Sequence, residues 1–339
     1  MAKKIALLLN KPMVDDIFGN QLLDELALLG EITPYDMLPE KMTEEFMLKQ
    51  IQNADVCITG WGTPPISEAM LDLAPGLGLL MHAAGSVKGV ARLPFQRGVR
   101  VSGCAPAMAP DVAATALGMI IAGLKRFEPQ NRYIHENTDE SRANIELLLE
   151  SRIRSIGSVT IGVVGASLVG RNLINMLKPF GNSVLVSDPF LTEAEAEALG
   201  VAKVNLDELL SQSDVVTLHA PILPETAKMI NKKTLALMKD NALLVNTARG
   251  ALVDTRALAD EVRSGRIYAC LDEVTLDAGE THNPLLGLSG VLLTSGIGGG
   301  KSKDSRRDIG VYAVRQIKKF LSGEKLDYEV TSDQLSTIA

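Results

Sequence analysis

The chain has 339 residues, 46% of them hydrophobic and 22% charged, with a formal net charge of −7. That length suits two domains with a core each, and the balance excludes a disordered chain. The acidic excess argues against nucleic acid, which is bound through a basic face; the densest basic run, KSKDSRR at 301–307, is broken by an aspartate and reads as a solvated helix start.

The amino terminus, MAKKIALLLNKP, has two lysines before a short apolar run that meets Asn10, Lys11 and Pro12 at once. It is too short for a secretory core and reads as a buried first strand. No run approaches the roughly eighteen consecutive apolar residues that cross a bilayer, so no membrane partner is expected. Cys57, Cys104 and Cys270 lack metal-ligand spacing. They read as buried inert thiols, with no metal site, and their odd number fits a reducing cytoplasm.

In chain order, KIALLLN, VCITG and LGLLMHAA read as buried strands, with helical spacing in QLLDELALLG and SEAMLDLA between them. A second series begins near residue 158 with VTIGVVG, SVLVSD, DVVTLHA, ALLVNTA, YACLDE and VLLTS, separated by helical segments such as LVGRNLINMLKPF and TRALADEVRSG. Alternating strand and helix implies parallel sheets with right-handed crossovers. The expected class is α/β, with two Rossmann-like or flavodoxin-like wound domains and a cleft between them. Between the series, Asp111–Phe127 reads as a long apolar helix with Asp111 as N-cap after Pro110. The polar stretch from Glu128 fits either an arm packed on a second subunit or a solvated excursion. The last helix, RRDIGVYAVRQIKKFLSGE, is placed to cross back onto the first domain.

Chemistry enters at VTIGVVGASLVGRNL. Gly165-Ala166-Ser167-Leu168-Val169-Gly170 follows a strand and opens a helix, close to the dinucleotide fingerprint with glycine at its first, third and sixth positions. Ser167 replaces the middle glycine, and its small hydroxyl is suited to donate to phosphate. SVLVSDP ends the next strand at Asp188, where a carboxylate bonds ribose hydroxyls and repels the extra phosphate of NADP. The first half has no such glycine turn, since its strand runs into Lys11-Pro12. The second domain alone is expected to hold the cofactor, NAD.

LHAPILPETAKMINKKTLALMKDNALLVNTARGALVDTRALADEVRSGRI, Leu218 to Ile267, resembles the signature of the D-2-hydroxyacid dehydrogenase family, which includes formate, glycerate and phosphoglycerate dehydrogenases. A looser similarity covers nearly the whole chain. The resemblance implies a discontinuous substrate domain, residues 1–107 and 301–339, and an NAD domain, 108–300, carrying a dimerisation helix and arm over 110–157. It also implies a homodimer joined through the NAD domain and a small 2-oxo or 2-hydroxy acid as substrate. Carried over residue by residue, Arg249 is the catalytic arginine that grips the substrate carboxylate and carbonyl oxygen, and also a cofactor neighbour. A guanidinium is a permanently charged fork that fits a carboxylate, and strand ends face the crevice of an open α/β sheet. Leu168, Val169, His219, Ala220, Pro221, Thr226, Thr247, Ala248, Asp272, Gly296 and Gly298 fall on cofactor-contacting positions. Ala84, Gly85 and Ser86, in HAAGSVKGV, match the loop whose amides hold the substrate carboxylate; Lys88-Gly89 stands where that loop commonly has Asp-Asn.

The acid–base pair departs from the family. Its glutamate lands on Asp277, a carboxylate one methylene shorter, and its proton-donating histidine lands, without a gap, on Gly296 in LLTSGIGGG. Losing a positioned acid typically costs about 10²–10⁴-fold in rate. Three readings follow: a weak or altered reductase, with His282, His82 or Lys301 as substitute acid; an NAD-dependent lyase-type reaction or a substrate with its own ionisable group; or a lapsed paralogue that binds NAD as sensor or scaffold.

Overall fold

In the computed structural model, which describes residues 2–276 and 281–338, the chain divides into two compact units, Met1–Met108 with Gly299–Ala339, and Ala109–Gly298. The first holds five strands: β1 (Lys4–Leu7), β2 (Glu31–Ile32), β3 (Val56–Thr59), β4 (Leu79–His82) and β5 (Arg100–Gly103). All pair in parallel in the order β2-β1-β3-β4-β5, with Ile5 opposite Val56 and Leu80 opposite Val101. Such strands are covered on both faces and so are nearly continuous apolar runs; β3 and β4 are buried at every residue. Asn10 ends the run after β1 by capping a helix, Lys11–Ile17, with Pro12 in its first turn. The Lys303–Leu321 helix buries Ile309, Ala313 and Ile317 in this core. Its Gly310 lies so close to the first helix that a Cβ would sit 2.0 Å from the Ile17 carbonyl oxygen.

The second unit holds β6 (Thr160–Val164), β7 (Ser183–Ser187), β8 (Ala202–Lys203), β9 (Val215–Leu218), β10 (Ala242–Asn246), β11 (Ile267–Leu271) and β12 (Val291–Leu293). They are parallel, in the order β12-β11-β10-β9-β6-β7-β8. The chain winds outward from β6 through β8, then returns to lay β9 on the other side of β6. Ligands of open α/β sheets bind at such a reversal, beyond the carboxyl ends of the strands.

Two details depart from the sequence reading. The apolar helix runs Ala105–Leu124, with Pro110 inside it, so Asp111 is not its N-cap. The helix starts directly after β5, and Pro110 forgoes one helical N–H there. By length and hydropathy, 1.6, this helix would pass for a membrane span; its Ala113, Ala116 and Ile120 side chains are core residues of the second unit. The polar stretch after it forms two helices, Phe127–Glu136 and Asp139–Ser151. Strands β2, β5 and β8 escaped the reading: two have two residues, and β5, RVSG, carries no apolar run. Cys57, Cys104 and Cys270 are buried free thiols, and burial pushes all three away from the thiolate.

Candidate active site

The glycine turn after β6 lies at the sheet's reversal point. Gly165 sits at φ +97°, and a Cβ there would come within 2.9 Å of the Ala220 nitrogen and the His219 carbonyl group. Gly170 is tighter still: its Cβ would stand 2.1 Å from the Gly165 carbonyl oxygen. Together these glycines let turn, helix and the β9 end pack backbone to backbone. Ser167 is the N-cap of the Leu168–Leu177 helix, its Oγ accepting from the Gly170 N–H at 3.3 Å. The hydroxyl proton still points elsewhere, so capping and phosphate donation are compatible. Leu168 is 38% exposed at the helix start, and Val169 packs on the core. Asp188 accepts from the Ala166 N–H (2.7 Å) and the Phe190 N–H (2.8 Å), one on each carboxylate oxygen. The glycine turn and the acidic strand end are thus a single hydrogen-bonded unit.

Beyond β9, His219 is 5% exposed; its Nε2 lies 2.9 Å from Thr217 Oγ1, and its Nδ1 is buried without a partner. Burial holds its pKa down at about 4. Ala220 is buried behind it, and Thr226 Oγ1 donates to the Pro221 carbonyl (2.7 Å) and accepts from the Leu223 N–H (2.8 Å), closing the loop. At the end of β10, Asn246 folds the Thr247-Ala248-Arg249 turn: Oδ1 accepts from the Ala248 N–H (3.0 Å) and Nδ2 donates to the Arg249 carbonyl (2.8 Å). The sequence reading missed Asn246, although asparagine at a strand end is the signal of such a side-chain turn. Thr247 is 7% exposed, and its Oγ1 is buried without a partner. Arg249 is partly buried, with Nη1 on the Ala248 carbonyl at 2.8 Å.

Asp272, a cofactor-contacting position by the resemblance, has partners that the sequence did not reveal. It is 3% exposed, and its carboxylate accepts from the Ile297 N–H (2.8 Å), the Gly298 N–H (2.9 Å) and the Thr294 hydroxyl. Successive amides turned on an anion form a nest, here filled by the protein's own carboxylate. Asp272 therefore shapes the glycine loop, and Thr294, also missed, assists it. Gly296 lies inside that loop at φ +74°, where a side chain costs roughly 1–2 kcal/mol. A Cβ at Gly296 would find room, meeting only the Asp272 carbonyl oxygen at 3.7 Å. A simple Gly296→His exchange thus meets backbone strain. A Cβ at Gly298 would stand 3.1 Å from the Asp272 carboxylate and 3.5 Å from Thr115. Asp277 lies outside the described residues. His282 and Lys301 are exposed.

Ala84, Gly85 and Ser86 belong to the other unit, on the loop after β4. The Ala84 N–H donates to the His82 carbonyl (2.8 Å), and Ala84 is buried while Gly85 and Ser86 are half-buried. His82 anchors this loop from below. It is 5% exposed, with Nδ1 2.9 Å from Thr59 Oγ1, and burial holds its pKa at about 4. Burial at this position disfavours the imidazolium form. Both buried histidines bear on acid stability. Their unfolded value is 6.5 and their folded value about 4, so between those pH values the unfolded chain binds more protons and stability falls as pH falls. Each should cost about 3 kcal/mol by the lower limit. Urea midpoints measured across this window should drop, and His82→Gln should flatten the dependence of the first unit.

The sequence profile of the D-isomer specific 2-hydroxyacid dehydrogenase NAD binding domain matches residues 117–298. The chain belongs to the D-isomer specific 2-hydroxyacid dehydrogenase family. It is 29% identical over 307 residues to the D-3-phosphoglycerate dehydrogenase of Methanocaldococcus jannaschii, covering 89% of this chain and 56% of that protein. The chain thus spans about half the length of that relative. It is 29% identical over 308 residues to the hydroxypyruvate reductase of Thermotoga maritima, covering 89% of this chain and 97% of that one. Its fold is shared with the apo D-mandelate dehydrogenase of Rhodotorula graminis, at TM-score 0.82 and 20% identity, over 98% of each chain. NAD is the family's cofactor, and this chain's residues fit it. The glycine turn is shaped to keep side chains away from a helix N-terminus. Asp188 stands at the β7 end, and the unpartnered Thr247 Oγ1 and His219 Nδ1 lie at neighbouring strand ends, as a site completed by a polar ligand requires.

Proposed function

We propose that the protein is an NAD-dependent reductase of 2-oxo acid-type substrates, with Arg249 as carboxylate anchor and without the family's imidazole acid. The observation that carries this reading is the Asn246-held turn, which presents Arg249 at the carboxyl end of β10 in the cofactor-binding unit. Residues 165–170 would hold the pyrophosphate, Asp188 the adenosine ribose, and Thr247 the far end of the cofactor. Bound NADH supplies a hydride. The chain's own contributions are orientation of the acid by the Arg249 fork and a loop kept in one shape by Asp272. Orientation alone can account for a large part of a rate enhancement. The loop of Ala84, Gly85 and Ser86 is proposed to receive the substrate carboxylate through the Gly85 and Ser86 amides. A homodimer joined through the NAD domain is supported by Phe127, Ile134 and Leu149, which are 56–63% exposed on the two helices after the apolar one.

Turnover of NADH against a panel of small 2-oxo acids and their imines tests the reading. Binding of NADH with no oxidation in any case would instead favour a sensor or scaffold. NADH should also be preferred to NADPH, because Asp188 would meet the 2′-phosphate with like charge. Arg171, bonded to the Ala166 carbonyl and to Glu195, is already engaged. Calorimetry should give NADPH a Kd higher by about tenfold or more, or about 1.4 kcal/mol; equal affinities would remove Asp188 from the ribose site.

A further inference from the structure

We infer that the substrate reduced at this site is a 2-imino acid in its iminium form, R–C(=NH2⁺)–COO⁻, in preference to a 2-oxo acid. The inference rests on the reductase reading and names its substrate class. It starts from what the Thr294–Gly298 loop offers. The Ile297 and Gly298 amides and the Thr294 hydroxyl all donate to the Asp272 carboxylate. None of these three donors is left for an oxygen that gains negative charge. Beside Gly296 stands an acceptor, the Asp272 carbonyl oxygen, 3.7 Å from where a Cβ would be. At φ +74° the position is itself built for glycine. Among the described residues of this unit, His219 is buried with Nε2 on Thr217, His135 is exposed on a helix with Nδ1 on the Asn131 carbonyl, and His282 is exposed on the loop before β12. Ser295 contributes an exposed alcohol, far from the near-neutral acidity that suits a proton donor.

This arrangement suits one ligand chemistry and disfavours the other. Reduction of a ketone turns its oxygen into an alkoxide that must be protonated or held by donors. An iminium already carries its proton. When C2 accepts a hydride, the C=N π pair moves to nitrogen, giving the neutral amine R–CH(NH2)–COO⁻ as NADH is oxidised to NAD⁺. The amine then takes a proton from water to become R–CH(NH3⁺)–COO⁻. No acid is required at the carbon-reduction step, and the N–H bonds of the iminium match an acceptor such as a backbone carbonyl. The carboxylate is common to both substrates, so Arg249 serves either.

The test uses the full chain with NADH and two matched substrates, the cyclic imino acid Δ1-piperideine-2-carboxylate and the open-chain 2-oxohexanoate, the latter with and without ammonium at alkaline pH. The imino acid should be reduced with a kcat/KM about 10²–10⁴-fold above the oxo acid, the scale of a missing general acid. Ammonium should switch the oxo-acid product from hydroxy acid to amino acid, read by NMR. In a readout independent of turnover, calorimetry of the NAD⁺-loaded protein should show pipecolate binding more tightly than 2-hydroxyhexanoate. If 2-hydroxyhexanoate forms as fast without ammonium as the imino acid is reduced, the imine inference falls and the reductase reading stands. If NADH binds and neither substrate is reduced, both fall.

Discussion

Gly170→Ala should be the most damaging single methyl group in the cofactor unit. The added carbon would stand 2.1 Å from the Gly165 carbonyl oxygen, which belongs to a turn at φ +97° that is itself wedged against Ala220 and His219. The obstacle is backbone on both sides, so no side chain can swing away. Overpacking usually costs 1–3 kcal/mol and more where nothing yields, so a loss of about 3 kcal/mol is expected, along with weakened NADH binding as the turn moves. Gly118→Ala is the control: nothing lies within 4 Å of its Cβ in the Ala105–Leu124 helix. It should stabilise by up to about 1 kcal/mol. Urea unfolding of the two variants decides it, and similar midpoints would mean that the turn is looser than described.

Arg249→Lys should separate substrate from cofactor. The ammonium keeps the charge and loses the planar pair of donors, and hydrogen bonds to charged groups are worth about 1.5–3 kcal/mol. The kcat/KM for the acid substrate should fall about 10- to 100-fold, while the NADH Kd holds, because the proposed pyrophosphate and ribose positions are at the ends of β6 and β7. Asn246→Ala should act in the same direction and more weakly, since it releases the turn without removing the guanidinium. Unchanged binding of oxamate-like acids to the lysine variant would place the acid elsewhere.

Much of this was legible in the sequence because its signals are local. Glycine spacing after an apolar run marks a strand–turn–helix, and Asp188 closes the next strand at the right distance. The parallel strands β6, β9, β10 and β11 announce themselves as continuous apolar runs. What stayed hidden depends on contacts made across the chain. Nothing near Asp272 in sequence says that its carboxylate accepts from the amides of residues 297 and 298 and so shapes their loop. Gly296 looked like the bare loss of a side chain, whereas its positive φ shows that the backbone too has a conformation fitted to glycine. Asn246 and Thr294 were missed for the same reason. Each is an ordinary polar residue until its partners are known. The helix start at Ala105 was misplaced because Pro110 and Asp111 form a convincing local start signal that tertiary packing overrides.

The account rests on hydride transfer to C2 of an acid substrate, and isotopic labelling observes that event directly. NADH deuterated at C4 should be incubated with the full chain and Δ1-piperideine-2-carboxylate, and with 2-oxo acids in parallel, followed by NMR and mass analysis of the products. With both C4 positions deuterated, one deuterium should appear at C2 for each NAD⁺ formed, in a single configuration at that carbon. Products without label, or bound NADH that keeps its deuterium with every substrate offered, would contradict the assignment of this protein as a reductase.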